Sequence, residues 1–252
     1  MSNYSDFAFV YDRLTGNVNY SERAGYIRTL FERHGVKKGA DVLDLACGTG
    51  SLTLELSDTY EMIGVDNSPD MLSQAQEKMY DAEKRILFLC QDMTELDLYG
   101  TVDAAVCTLD SLNHLESAED IRTAIKKVGL FMNHGGIFVF DVNTIYKHRE
   151  ILGSNTFVYD CDDVYCVWQN QLNEDNSVDI SLDIFEQDGD AYSRSSEYFT
   201  EIACPVDDYK KWLSEAEFEI INIYDEMSDT PLLDTTERAV FVARYTGKKE
   251  EN

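Results

Sequence analysis

Between residues 41 and 142 short apolar runs alternate with amphipathic stretches. The runs DVLDLA (41–46), EMIGV (61–65), ILFLC (86–90), VDAAVC (102–107) and GIFVFDV (136–142) are almost continuously hydrophobic. Runs so short and so uniform predict strands covered on both faces, hence a parallel sheet with helices on each side. The stretches between them have helical spacing. Ser68 sets a capping hydroxyl ahead of Pro69, after which Leu72, Ala75 and Met79 share one face. Ser117 stands in the same relation to Ile121, Ala124, Ile125 and Val128, with Asp120 in the first turn. Nearer the start, Tyr4, Phe7, Phe9, Tyr11 and Tyr20 predict a loop or short helix, followed by an amphipathic helix carrying Ala24, Ile27, Leu30 and Phe31.

Beyond Thr144 the period drops to two. TFVYDCDDVYCVWQNQL, SVDISLDIFEQDG and AYSRSSEYFTEIA alternate apolar and polar positions, separated by turn-forming Asn-Glu-Asp-Asn and Asp-Gly-Asp. This predicts an inserted antiparallel sheet. Helical spacing returns after Pro205 with Tyr209, Trp212, Leu213 and Ala216, and EFEIINIYD and RAVFVARY supply two last strands. The predicted fold class is α/β: a doubly wound, mostly parallel seven-stranded sheet built from residues 1–143 and 205–247. Residues 144–204 form the inserted antiparallel β subdomain, expected as a lid over a substrate, and 248–252 a frayed tail. A chain of 252 residues can bury one such core with an insertion.

Charge narrows the partners. Against 21 Lys and Arg stand 48 Asp and Glu, a formal net charge of −27, which repels phosphate backbones and anionic lipid and argues against nucleic acid and membrane partners. Its plain role is solubility, with a secondary leaning toward amine or cationic substrates. No apolar run approaches the length of a membrane span, and the first twenty residues lack a secretory pattern, so a cytoplasmic protein is expected. The six cysteines form no C-x-x-C pair, which reads as reduced structural thiols, and no spacing calls for a metal. Monomer and homodimer both stay open.

The chemistry concentrates where the first strand ends. Val42-Leu43-Asp44-Leu45-Ala46-Cys47-Gly48-Thr49-Gly50 runs from a strand through a glycine turn into a helix of Ser51 to Leu56. Glycines let a ligand approach the backbone, and the helix start offers free N–H groups. A nucleotide-like ligand is therefore expected at the carboxyl ends of the strands. Thr53 stands where a dinucleotide fingerprint has its third glycine, and Asp44 precedes the glycines, which weakens a nicotinamide or flavin reading. Asp66, eighteen residues after Gly48 at the end of EMIGV, can accept bonds from both ribose hydroxyls. Its plainer reading is a cap for the next helix.

Taken jointly, VLDLACGTG, GVDNSPDML, CQDMTELDL and VDAAVCTLDSLNHL resemble the four consecutive motifs of class I S-adenosylmethionine-dependent methyltransferases, over roughly residues 40 to 145. The N-terminal FAFVYDRL and the β-rich insertion are similar to the small-molecule branch holding glycine N-methyltransferase and the sugar-amine N,N-dimethyltransferases. The resemblance implies a Rossmann-like methyltransferase fold, S-adenosylmethionine as cofactor and S-adenosylhomocysteine as product. It places the backbone of Ala46, Cys47 and Gly48 at the methionine part, with Asp44 and Gly50 of the same turn in the cofactor set. It places Asp66 on the ribose, Asn67 and Met71 near the adenine, and Gln91, Asp92 and Met93 at the adenine amino group, where Asp92 is otherwise a turn former. Leu109 and Asp110 would face the sulfonium and the acceptor. The segment NVNYSERAGYI departs from the pattern, with Arg23 where many similar proteins carry tryptophan.

Methyl transfer from a sulfonium releases a neutral thioether, so positioning dominates; holding the reacting atoms about 3–3.5 Å apart supplies about 7–11 kcal/mol. A small-molecule acceptor is expected, with N-methylation favoured over O or C. An amine must attack as the free base, and Tyr11, Asp110 and His114 are the candidates to take its proton. Tyr11 could instead orient the sulfonium with its hydroxyl or ring face, and it is counted with the cofactor residues too. The plainer readings are a lid plug for Tyr11, a loop or cap position for His114 and a cap for Asp110. Tyr159, Tyr165, Trp168, Tyr192, Tyr198 and Phe199 could line a substrate cavity, but cross-strand pairing suits most of them better. Arg194 and Arg238 could bind a substrate anion, surface positions being the commoner case. A non-catalytic cofactor sensor and an NAD(P)-dependent oxidoreductase are the alternative functions.

Overall fold

The helix starts expected from sequence form as side-chain caps: Ser68 Oγ accepts the N–H of Met71 at 3.3 Å and Ser117 Oγ that of Asp120 at 3.2 Å. In this computed structural model, which describes residues 5–16, 18–161 and 163–247, they open α4 (Pro69–Asp81) and α5 (Ala118–Leu130). Tyr4 and the tail at 248–252 lie outside the described residues. The aromatic N-terminal stretch is a helix, α1 (Ser5–Leu14), followed by α2 (Tyr20–Arg33).

The apolar runs become β1 (Asp41–Leu45), β2 (Glu61–Asp66), β3 (Leu87–Cys90), β4 (Val102–Cys107) and β5 (Met132–Asn143), with α3 (Ser51–Leu56) after β1. The chain closes with α6 (Val206–Glu215), β10 (Phe218–Asp225) and β11 (Arg238–Tyr245). These seven strands lie in the order β10-β11-β5-β4-β1-β2-β3, with β11 antiparallel to both neighbours. Alternation sorts the two faces. Leu43, Leu45, Ala105, Phe138, Phe140 and Phe241 pack with α5 and α6, whereas Val42, Ala104, Val106, Ile137 and Val139 pack with α2 and α3. Each large side chain so buried contributes about 1.5–3 kcal/mol, and a one-residue slip of β1 would exchange its faces. Register thus fixes the direction in which the loop after β1 leaves the sheet.

The insertion forms a separate antiparallel sheet, ordered β6 (Thr156–Cys161), β7 (Val164–Leu172), β8 (Val178–Asp188) and β9 (Ala191–Glu201). TFVYDCDDVYCVWQNQL, expected as one alternating run, is two strands paired from Thr156↔Gln169 to Cys161↔Val164, because two consecutive aspartates interrupt the alternation. The inner face of this sheet, with Val164, Val178, Ile180, Leu182 and Ile184, packs on Ala8 and Val10 of α1 and on Met71. A π-helical turn at Lys147–Leu152, unforeseen in the sequence, leads from β5 toward it. Among the described residues no helix is long and apolar enough to cross a membrane. All six cysteines are free thiols.

Candidate active site where the strand order reverses

β1 pairs with β2 on one side and β4 on the other, so successive connections diverge and leave a crevice at the carboxyl ends of the strands. A cavity of about 430 Å³ fills it. Tyr11, Asp44, Ala46, Cys47, Gly48, Asp66, Asn67, Met71, Gln91, Asp92, Met93, Leu109, Asp110 and His114 all line that cavity. Gly50 does not. It caps α3 at φ +73°, where an added Cβ would meet that of Ala75 at 3.0 Å, so its smallness serves the packing of α3 on α4.

The turn after β1 is held by Asp66. Gly48, at φ +54° with open space where a side chain would be, donates its N–H to Asp66 Oδ2 at 2.8 Å. The other oxygen, Oδ1, accepts the N–H of Ser68 at 2.9 Å. Asp66 therefore faces the cavity and also braces the start of α4, whose cap is Ser68 itself. Burial pushes its carboxyl up, against the hydrogen bonds from Ser68 and Gly48.

Asp44 lies behind the turn and accepts the Thr53 hydroxyl at 2.5 Å. The residue that breaks the dinucleotide fingerprint is thus the partner of a buried acid. Burial pushes the Asp44 carboxyl up to about 7. An unfolded chain releases that proton near pH ~3.9, so the folded state loses stability as pH rises between the two values. Asp44→Asn, which still accepts from Thr53 and cannot ionise, is expected to gain about 1–4 kcal/mol on the wild type between pH 4 and pH 8. Urea unfolding at both pH values reads this; a difference that does not change with pH contradicts it.

On the next loop Asp92 accepts from the backbone N–H and the hydroxyl of Thr94, both at 2.7 Å, so the turn-forming role holds while the residue also lines the cavity. The Gln91 side chain closes the same loop, donating to the carbonyl of Asp97 at 2.9 Å and accepting its N–H at 3.0 Å.

At the end of β4, Leu109 and Asp110 are both left-handed, with φ of 57° and 54°, a state costing of order 1–3 kcal/mol at each non-glycine residue. Asp110 makes no side-chain cap. One guanidinium nitrogen of Arg238 donates to Asp110 at 3.0 Å and to Asp141 at 2.7 Å, and Asn143 Nδ2 donates to the other Asp110 oxygen. Burial pushes the Asp110 carboxyl up, but Arg238, Lys147 and His114 outweigh it and hold it well below the ordinary range. Arg238 is 7% exposed, a buried ion-pair partner and not the surface residue that its type suggests, because β11 lies beside β5. Arg194 is at the surface, paired with Asp183 at 2.6 Å.

Three cavity residues had no signal of their own in the sequence. Asn143 ends β5, Lys147 sits on the π-helical turn and Glu201 ends β9. Asn143 Nδ2 also donates to Glu201 at 3.0 Å, and Lys147 Nζ donates to Asn143 Oδ1 at 3.0 Å. Glu201 is 2% exposed and lies 3.8 Å from His114 Nε2 and 3.6 Å from His148 Nε2. The end-of-strand position of Asn143 was the available clue. Tyr159, Trp168 and Phe199 line the cavity, and Tyr159 and Trp168 also meet across β6 and β7 with ring centroids 6.1 Å apart, whereas Tyr165, Tyr192 and Tyr198 are exposed. Ligand atoms of Asp110, His114 and Glu201 approach within 4.8 Å of one another, as a metal site would require. The Arg238 guanidinium on Asp110 and the Lys147 ammonium beside it already supply the positive charge there, so the trio does not suit a metal.

The family described as "Methyltransferase domain" matches residues 42–136. A solved S-adenosylmethionine-dependent methyltransferase from Clostridium acetobutylicum ATCC 824 is 33% identical, with a TM-score of 0.89 over 97% of this chain and 99% of that one. The chain belongs to the S-adenosylmethionine-dependent methyltransferases. YqeM of Bacillus subtilis (strain 168), which carries the name of a methyltransferase, is 33% identical over 96% of both chains. A glycine/sarcosine N-methyltransferase of Aphanothece halophytica is 27% identical over 89% of this chain and 82% of its own. The cofactor of this methyltransferase is S-adenosylmethionine, and the crevice fits it: the open, left-handed Gly48 turn leaves room at the backbone, and the Asp66 carboxylate faces the same space.

Proposed function

We propose that this methyltransferase transfers its methyl group to the nitrogen of a small amine in the cytoplasm, without nucleic acid or membrane as partner. The observation that carries the reading is the far end of the cavity. There the buried carboxylate of Glu201, whose ion-pair partners among the described residues are the imidazoles of His114 and His148 and no Lys or Arg, accepts the Asn143 amide in a cavity also lined by Tyr159, Trp168 and Phe199. A buried carboxylate in an aromatic-lined cavity suits an ammonium group or a charge developing on nitrogen. The glycine/sarcosine relative supports the same class. In this reading Ala46, Cys47 and Gly48 hold the methionine part, Asp66 the ribose, and Asn67, Met71 and Gln91 to Met93 the adenine. Residues 144–204 roof the acceptor.

When bound, S-adenosylmethionine supplies a methyl group on a sulfonium whose leaving group is neutral. The protein's own residues then have to orient the amine and remove its proton. Burial, with Tyr20 and Asp110 near it, pushes the Tyr11 phenol well above its ordinary value, so it keeps its proton and acts by orientation. Asp110 is held as a weakly basic carboxylate by Arg238. His114 takes the proton. Its ring lies 5.1 Å from that of Phe199 and its Nε2 lies 3.8 Å from Glu201, contacts that orient the imidazole in the cavity.

The test is release of S-adenosylhomocysteine over a panel of amines, amino sugars, hydroxyl compounds and small acids. Turnover with amines is expected, and turnover with hydroxyl acceptors alone contradicts the proposal. With the acceptor found, His114→Ala is expected to lower kcat about 100-fold or more, with KM for the cofactor little changed; a kcat near wild type removes His114 from this role.

A further inference from the structure

The loop after β4 is anchored from behind by a buried anion. Successive N–H groups in a turn can converge into an anion-binding concavity, and those of Leu109 and Asp110 do. Asp141 of β5 accepts the N–H of Leu109 on Oδ2 at 3.0 Å and that of Asp110 on Oδ1 at 2.8 Å. Asp141 is 1% exposed and absent from the cavity wall. Its charge is met by Arg238 of β11 at 2.7 Å and by Arg23 of α2 at 3.3 Å, and Arg23 continues to Glu226 at 2.7 Å. Three separate elements thus converge on one carboxylate. A loop that only needed to turn could use glycine at its positive-φ positions. Here both residues carry side chains and line the cavity, so the left-handed backbone needs an anchor on its other side.

We infer that Asp141, neutralised by Arg23 and Arg238, is a positioning residue for methyl transfer: it fixes the Leu109–Asp110 backbone and so sets how those two side chains meet the methyl group. This rests on the cofactor placement proposed above. It also gives Arg23, whose side chain reaches both Asp141 and Glu226, a place in the machinery.

The test is nuclear magnetic resonance on the full chain. In the wild type the amide protons of Leu109 and Asp110 are expected downfield and slow to exchange; rapid exchange overturns the proposal before any variant is made. Asp141→Asn is expected to move both amides upfield and speed their exchange at least tenfold. It should also shift the carbon resonance of bound S-adenosylmethionine labelled with ¹³C at the methyl, while Kd changes less than threefold. Arg23→Gln, one step removed from the loop, should move the same signals less, and Arg23→Lys should restore them. That pair decides the matter if Asp141→Asn does not fold: unmoved amides in Arg23→Gln overturn the cradle. Moved amides with an unmoved methyl resonance overturn the positioning role. A wild type that binds no S-adenosylmethionine overturns the cofactor placement instead, and the amides still report on the cradle.

Discussion

Replacing Arg238 with methionine is expected to destabilise the fold by about 3–5 kcal/mol at neutral pH, measured by urea unfolding. The guanidinium serves Asp110 and Asp141 through one nitrogen, with Glu226 at 3.3 Å from its Nε. Methionine fills the space and leaves these carboxylates close together with much less compensation. The sign of the pH dependence follows from Asp110, whose carboxyl is held below its ordinary value. Its contribution is present above the unfolded pKa of about 3.9 and lost as pH falls below it. The gap between wild type and Arg238→Met should therefore be widest at neutral pH and shrink on acidification. A loss under about 1 kcal/mol at pH 7 would show that the network is better solvated than its burial indicates.

Asp66→Ala is expected to weaken S-adenosylhomocysteine binding at least 100-fold. Each hydrogen bond to a carboxylate contributes about 1.5–3 kcal/mol, and two lost from a ribose amount to about 3 kcal/mol or more, with about 1.4 kcal/mol to each tenfold in Kd. Asp66 also holds the N–H groups of Gly48 and Ser68, so the truncation loosens the turn proposed to meet the amino acid part. Asp66→Asn keeps one acceptor and should lose roughly tenfold. Calorimetric titration of the three proteins, with circular dichroism to check folding, reads the series; equal affinities would remove Asp66 from the binding site.

What the sequence made legible is what local chemistry dictates. Short apolar runs, the caps Ser68 and Ser117, and the acid at the end of β2 each follow from spacing alone, and each stands where the pattern put it. The far end of the cavity was not legible. Asp110 and Arg238 meet across 128 positions, Asn143 and Glu201 across 58, and none of the four stands in a local pattern that names its partner. Arg238 read as a surface residue because nothing nearby marks β11 as the neighbour of β5. The split of the first run of the insertion into β6 and β7 was visible only as paired aspartates within an otherwise unbroken alternation. Tyr11, Asp110 and His114 are indistinguishable as proton acceptors from their types, and the roles proposed for them rest on burial and ion pairing that only the fold supplies.

In the proposed placement the crevice at the reversal of strand order holds the cofactor, with the Gly48 turn at its amino acid end and Asp66 on its ribose. A crystal structure of the protein with S-adenosylhomocysteine bound tests this most directly. Both ribose hydroxyls are expected on the Asp66 carboxylate, with the homocysteine chain along Ala46 to Gly48. Product bound elsewhere, with the crevice closed by the protein's own side chains, would contradict it.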